Sequence, residues 1–296
     1  MNKIKKNHSS EKAIKSILFL CGAFSVFITL AIIITLSRES MVFFQNVPMR
    51  DFFLGLEWTP LFEPKKFGVL PLIAGTFLIV ALSSIIALPV GLLSAIYLSE
   101  YCDKNLRKYI KPVLELLAGI PSIVYGYFAL TAITPYLRTL TSSVEIYNAL
   151  SASIAVGIMI IPLVLSMSED AMQAVPSSLR EGAYALGMTK LEVVTTVVLP
   201  AAVSGIMASF VLSISRAIGE TMIVALAAGS TPNLTVNPLE SIQTMTGYIV
   251  QVATGDAPKG SIQEQTLYAV AMLLFAITFI LNMISSFISK KFREEY

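Results

Sequence analysis

Histidine is almost missing from this chain of 296 residues: the single copy is His8, in a polar N-terminal tail. One imidazole leaves no material for His metal sites, for Ser-His or Cys-His dyads, or for most histidine acid–base catalysis. Cysteine is as scarce. Cys21 lies in an apolar stretch and Cys102 in a polar one, and that separation offers no disulfide framework. Only 14% of the residues are charged, and the net charge of +2 is small and dispersed, whereas a nucleic-acid footprint needs Lys and Arg clustered on one surface. No Gly-Lys pair occurs in the chain, which excludes a Gly-x4-Gly-Lys-Ser/Thr loop for ATP phosphates.

What the chain has is apolar length. Hydrophobic residues make up 55% of it and its mean hydropathy is +0.75, far from the balance of soluble domains. Stretches long enough to cross a bilayer lie near 14–36, 69–98, 113–134, 147–167, 200–228 and 266–289. The sequence therefore predicts an all-α membrane protein of six transmembrane helices. The first stretch follows a basic tail as a secretory signal would, but its length exceeds a signal core and no small-x-small cleavage pattern follows it, so it reads as a retained helix.

Charge sets the orientation. Fourteen cations fall on one side of the spans: Lys3, Lys5, Lys6, Lys12, Lys15, Lys104, Arg107, Lys108, Lys111, Arg180, Lys190, Lys290, Lys291 and Arg293. Six fall on the other: Arg38, Arg50, Lys65, Lys66, Arg138 and Lys259. The positive-inside rule puts both termini in the cytoplasm. The chain then divides into a cytoplasmic tail (1–13), a first transmembrane helix (14–36), an external loop (37–68), a core of five transmembrane helices (69–289) with a cytoplasmic loop at 169–199, and a cytoplasmic tail (290–296). The external loop carries Phe43, Phe44, Phe52, Phe53, Trp58 and Phe62, which read first as interfacial anchors in contact with membrane lipid and second as a docking surface for an external partner.

The one cation left over is Arg216, inside the fifth stretch in the run Arg216-Ala217-Ile218-Gly219-Glu220-Thr221. At 1.5 Å per residue it lies about 24 Å along a helix from Pro200, near mid-bilayer. Arg at a helix centre costs at least about 2.5–3.5 kcal/mol, which makes an intramembrane ionisable group a functional hypothesis by default. On a continuous helix Arg216 and Glu220 share a face and would neutralise each other as an i, i+4 pair. Gly119, Pro121 and Gly126 are expected to loosen the third span, so that Ser122 and Tyr125 present hydroxyls to a pathway.

The 169–199 loop contains Val175-Pro176-Ser177-Ser178-Leu179-Arg180-Glu181-Gly182-Ala183-Tyr184-Ala185-Leu186-Gly187. Pro176 and the two serines suit a helix start, Glu181 suits its dipole, and Gly187 suits its end. Physics alone reads this as an amphipathic helix on the membrane. Its spacing adds a resemblance. Glu181-Gly182-Ala183, then Gly187, Val197 and Leu199-Pro200 follow at every offset the Glu-Ala-Ala motif of ABC-importer permeases, with Gly182 and Val197 replacing the usual Ala and Ile. The stretches Ser215–Thr221, Gly119–Gly126, Thr246–Ile249 with Gly255-Asp256, and the Lys290–Glu294 tail look like the phosphate-specific permeases of that family, and the likeness covers nearly the whole chain.

The resemblance implies a type I (MetI-like) importer permease in a bacterial inner membrane, forming half of an ATP-driven inorganic phosphate pathway. It implies no catalysis in this chain, ATP and Mg bound by a separate ATPase dimer, a second homologous permease subunit, and an external phosphate-binding protein. Glu181, Gly182, Ala183, Gly187, Leu199 and Pro200 would form the ATPase-coupling interface. Arg216, Glu220, Thr221, Ser122 and Tyr125 would line the substrate path, with phosphate exchanging for Glu220 on Arg216. A permease for sulfate or molybdate is the nearest alternative, and an ion-coupled secondary transporter a more distant one.

Overall fold

A computed structural model describes residues 7–255 and 257–291; Asp256, the first six residues and the last five, including Phe292, Arg293 and Glu294 of the tail, lie outside the described residues. The regular secondary structure of the described residues is helical, apart from an isolated antiparallel bridge between Trp58 and Phe67. In order it forms α1 (Asn7–Asn46), α2 (Met49–Leu54), α3 (Leu70–Ile96) with a π-helical turn at Tyr97–Tyr101, α4 (Lys104–Ala118), and α5 (Ser122–Phe128). A second π-helical turn (Ala129–Ile133) leads into α6 (Thr134–Leu140), followed by α7 (Ala149–Gln173), α8 (Ser177–Ala185), α9 (Lys190–Val193), a π-helical turn (Val194–Val198), α10 (Leu199–Ile218), α11 (Met222–Ala227), α12 (Met245–Thr254) and α13 (Ile262–Lys291).

Among the described residues, five helices are long and apolar enough to cross a membrane: Glu11–Asn46, Leu70–Tyr101, Ala149–Gln173, Lys190–Ile218 and Ile262–Phe287. The bent pair Asn105–Ala118 and Ser122–Leu140, at 83° to each other, makes a sixth when counted as one broken span. The third predicted span, 113–134, is thus not one helix. Pro121 has no amide hydrogen to donate and drives Ile120 away from helical backbone, so the chain turns there. α4 is strongly amphipathic rather than apolar, and the Asp103 side chain caps it by accepting from the Asn105 amide at 2.7 Å.

The fifth predicted span, 200–228, is broken too. α10 stops at Ile218, and Gly219, Glu220 and Thr221 separate it from the six-residue α11. The segments beyond the two breaks, α5 and α11, pack on each other. At Gly126 a Cβ would stand 3.0 Å from the Ile223 Cα and 3.2 Å from the Met222 carbonyl oxygen, so any side chain there would push the two segments a few tenths of an ångström apart.

Three buried clusters stack along the bundle. The central one joins α3, α7 and the α10–α11 region through Ile79, Val156, Ile160, Ile218 and Ile223. A second, on the side that the charge count assigns to the cytoplasm and called cytoplasmic for that reason, holds Leu98, Leu165, Met172, Ala183, Val193 and Val198. The outer one corrects the reading of the loop aromatics as membrane anchors. Phe43, Phe52 and Trp58 are buried with Val69, Leu72 and Tyr248, and Trp58 meets Tyr248 edge-on at 4.9 Å. Only Phe53 and Phe62 of that group are strongly exposed. The first helix runs on to Asn46, ten residues past the predicted boundary at 36, which is what carries Phe43 into this cluster. Residues 11–32 of α1 are exposed throughout. Its outer end is tied to α13, where the Ser40 hydroxyl donates to the Tyr268 carbonyl at 3.0 Å.

Candidate functional site

Arg216 stands in the last turn of α10, exposed on the bundle surface, and among the described residues no hydrogen bond or ion pair reaches its guanidinium. The i, i+4 pair with Glu220 is not formed. The reason is the break: Glu220 lies past the end of the helix that carries Arg216, so the two residues no longer share a helical face. Glu220 is 9% exposed, and its Oε1 accepts from the Ile223 amide at 3.1 Å, capping α11. Its carbonyl accepts from the Thr246 hydroxyl at 2.6 Å, which joins the break to α12. Thr221 spends its hydroxyl on the Gly219 carbonyl at 3.1 Å.

The other break is bridged similarly. The Tyr125 hydroxyl donates to the Leu117 carbonyl at 3.0 Å, across the Gly119–Pro121 turn, and so serves the corner between α4 and α5. Ser122 opens α5 half-buried. Since α5 packs on α11, both breaks belong to one region of the molecule. It contains a free guanidinium, a carboxylate committed to a helix end, and backbone turned out of helical pairing. Such broken helices are tolerated at membrane depth only where they line a cavity or are buried in protein.

The cytoplasmic residues of the motif also come together. Pro176 precedes the first residue of α8, and Gly187 has a φ of +82°, a left-handed conformation that ends the helix. Ala183 is buried in the cytoplasmic cluster, and Leu199 packs against it beside Pro200 in the first turn of α10. Glu181, Gly182 and Gly187 are exposed; nothing lies within 4 Å of a Cβ placed on either glycine. Tyr184 and Leu186 are exposed beside them, Leu186 by 84%, giving an uncovered, small-residue and apolar tip.

One group escaped the sequence reading. Glu169, with 0% of its side chain exposed, sits near the cytoplasmic end of α7 and is paired with both Arg107 and Lys111 of α4. Lys111 also lies 2.5 Å from Asp170. The signal was present, since Glu169-Asp170 ends an apolar run while Arg107 and Lys111 open the neighbouring one. Those cations were used only to orient the chain.

The long apolar helices define a multi-pass membrane protein. Residues 87–294 match the family described as binding-protein-dependent transport system inner membrane component, and the chain belongs to that family. Among its relatives, the probable ABC transporter permease protein YqgH of Bacillus subtilis is 34% identical over 94% of this chain and 90% of its own length. The phosphate transport system permease protein PstC of Mesorhizobium japonicum is 33% identical over 80% of this chain and 77% of its own. The same fold occurs in a bacterial alginate ABC transporter in complex with an alginate-bound periplasmic protein (TM-score 0.68, 15% identity, 98% of both chains). It occurs also in the MetNI methionine ABC transporter (TM-score 0.56, 19% identity, 77% of this chain and 95% of that one).

Proposed function

We propose that this chain is the permease subunit of an ATP-driven inorganic phosphate importer in a bacterial inner membrane. The observation that carries the reading is the unpartnered Arg216 at a helix break, in a chain 33% identical to a PstC phosphate permease over most of its length. Guanidinium offers planar, paired donors that match the oxygens of a phosphate ion. Glu220, held on the Ile223 amide, leaves Arg216 free for the anion, so the exchange of partners expected from a continuous helix is unnecessary. The α8 tip, with Glu181 through Gly187, seats on a separate ATPase dimer (PstB-like) that binds ATP and Mg. A second, homologous permease subunit (PstA-like) completes the pathway, and an external phosphate-binding protein (PstS-like) delivers the ion. Hydrolysis belongs to those partners, and this chain acts as a non-catalytic transport subunit. A sulfate or molybdate permease is not favoured, because the relatives named for a substrate are named for phosphate.

Uptake of labelled phosphate into proteoliposomes holding the complete complex tests the reading. Arg216→Gln is expected to lower import by about tenfold or more at unchanged assembly, the loss of a charge-assisted contact worth about 1.5–3 kcal/mol. Normal import by that variant would sink the assignment of Arg216, and absence of phosphate import by the unsubstituted complex would sink the substrate.

A further inference from the structure

α8 has nine residues, too few for an isolated helix to persist in water, and Ala183 is its only buried residue. Something other than apolar packing must hold it at a fixed angle. That something is Arg180. Its guanidinium places Nη2 at 2.9 Å from Glu100 Oε1 and Nε at 3.4 Å from Oε2. The same group donates to the Val175 carbonyl at 2.6 Å and the Met172 carbonyl at 2.7 Å, at the C-terminal end of α7, where a cation also suits the helix dipole. The Glu100 side chain is 6% and the Arg180 side chain 18% exposed, so water competes weakly for either.

Glu100 belongs to the π-helical turn that ends α3, and its two neighbours are engaged in the same way. The Gln173 amide donates to Ser99 at 3.1 Å, and the Lys190 ammonium lies 4.9 Å over the Tyr101 ring. Three consecutive residues of one turn therefore hold the end of α7, helix α8 and helix α9 respectively. α3 and α7 are themselves closely apposed, since a Cβ at Gly91 would stand 2.7 Å from the Val164 Cβ.

We propose that Arg180 is a positioning residue, the strut that fastens α8 to the cytoplasmic end of α3 through Glu100, so that a pull on α8 moves α3, α7 and the whole coupling loop as one body. The proposal rests on the permease reading and names how that permease receives its movement. A guanidinium locked in four directions has no rotational freedom left with which to absorb a displacement. The strain then falls on the breaks at 119–121 and at 219–221, the second of which follows Arg216 at the end of α10.

The test uses the purified complex with its ATPase and second permease subunit, in a background of Cys21→Ala and Cys102→Ala. Spin labels on Ser178→Cys in α8 and Leu93→Cys in α3 report their separation. With Arg180 present, the distance distribution is expected to be the same in the nucleotide-free and the ATP–vanadate-trapped states; in Arg180→Gln it shifts or broadens between them. Import per ATP hydrolysed is expected to fall about tenfold in Arg180→Gln, within the usual range of coupling energies. Glu100→Gln, which leaves both carbonyl bonds of Arg180 in place, is expected to move it in the same direction with milder effect on assembly. A state-dependent distance with Arg180 intact, or unchanged import per ATP in both variants, overturns the strut. The label distances are read without cargo, so a complex that imports no phosphate removes the substrate reading and leaves the strut to be decided by the distances alone.

Discussion

Glu169 offers the sharpest energetic test of how the bundle is held on its cytoplasmic side. Its carboxylate is wholly buried between two cations, with Lys111 Nζ at 2.7 Å from Oε2 and Arg107 on Oε1. Glu169→Gln keeps the shape and removes the charge, so no cavity term enters. Leaving a buried partner uncompensated costs about 3–5 kcal/mol in general. Here Arg107 and Lys111 keep 27% and 24% of their side chains exposed, and Lys111 retains Asp170 at 2.5 Å, so both regain part of their solvation. The expected loss is about 2–3 kcal/mol after that discount. Equilibrium unfolding in mixed micelles of a mild detergent and dodecyl sulfate measures it, with the chain's single tryptophan, Trp58, as the fluorescent probe. A double-mutant cycle with Arg107→Gln should return a coupling energy of about 1 kcal/mol or more, nearly independent of salt because the pair is shielded from the ionic atmosphere. If Glu169→Gln unfolds within about 0.5 kcal/mol of the parent, the value of an ordinary surface change, then α4 is held on α7 by its apolar contacts and the ion pairs are incidental.

The remaining predictions concern the other parts of the molecule. Phe52→Ala should destabilise by about 3–5 kcal/mol in the same unfolding assay, since Phe52 is fully buried between Phe43 and Trp58; a lipid-facing anchor would cost far less. Gly126→Val should press α5 away from α11, at a cost of about 1–3 kcal/mol, and phosphate uptake should fall with it; uptake at the parental rate would mean the two segments need not touch. Leu186→Glu should leave stability within about 0.5 kcal/mol, because the side chain is exposed, yet abolish co-purification of the ATPase; a fully retained ATPase would move the coupling interface elsewhere.

Much of this was legible in the residues. Apolar length located five of the crossings, and the helix of the 169–199 loop is placed to within a residue or two by Pro176 before it and Gly187 after it. Both signals are local: hydrophobic length answers only to the solvent, and a proline or a left-handed glycine constrains only its own neighbourhood. The fate of the outer aromatics was not local. Phe43, Phe52 and Trp58 read first as membrane anchors, and only their meeting with Tyr248, far along the chain, makes them a core. Arg107, Lys111 and Glu169 were likewise visible one by one, while their pairing depends on how α4 lies across α7.

The residues alone therefore determined the class of solvent, the coupling-loop helix and the unusual cost of Arg216, because each follows from a single side chain's or a single segment's interaction with water, lipid or its own backbone. The tertiary structure decided where the helices break and what each charge does. Arg216 and Glu220 are four residues apart, and on an unbroken helix they would have satisfied each other. The turn at Gly219–Thr221 separates them, giving Glu220 to the start of α11 and leaving Arg216 without a partner. That turn is held by contacts with Thr246 and with the face of α5, groups distant in sequence, which is why no count along the helix could have disclosed it.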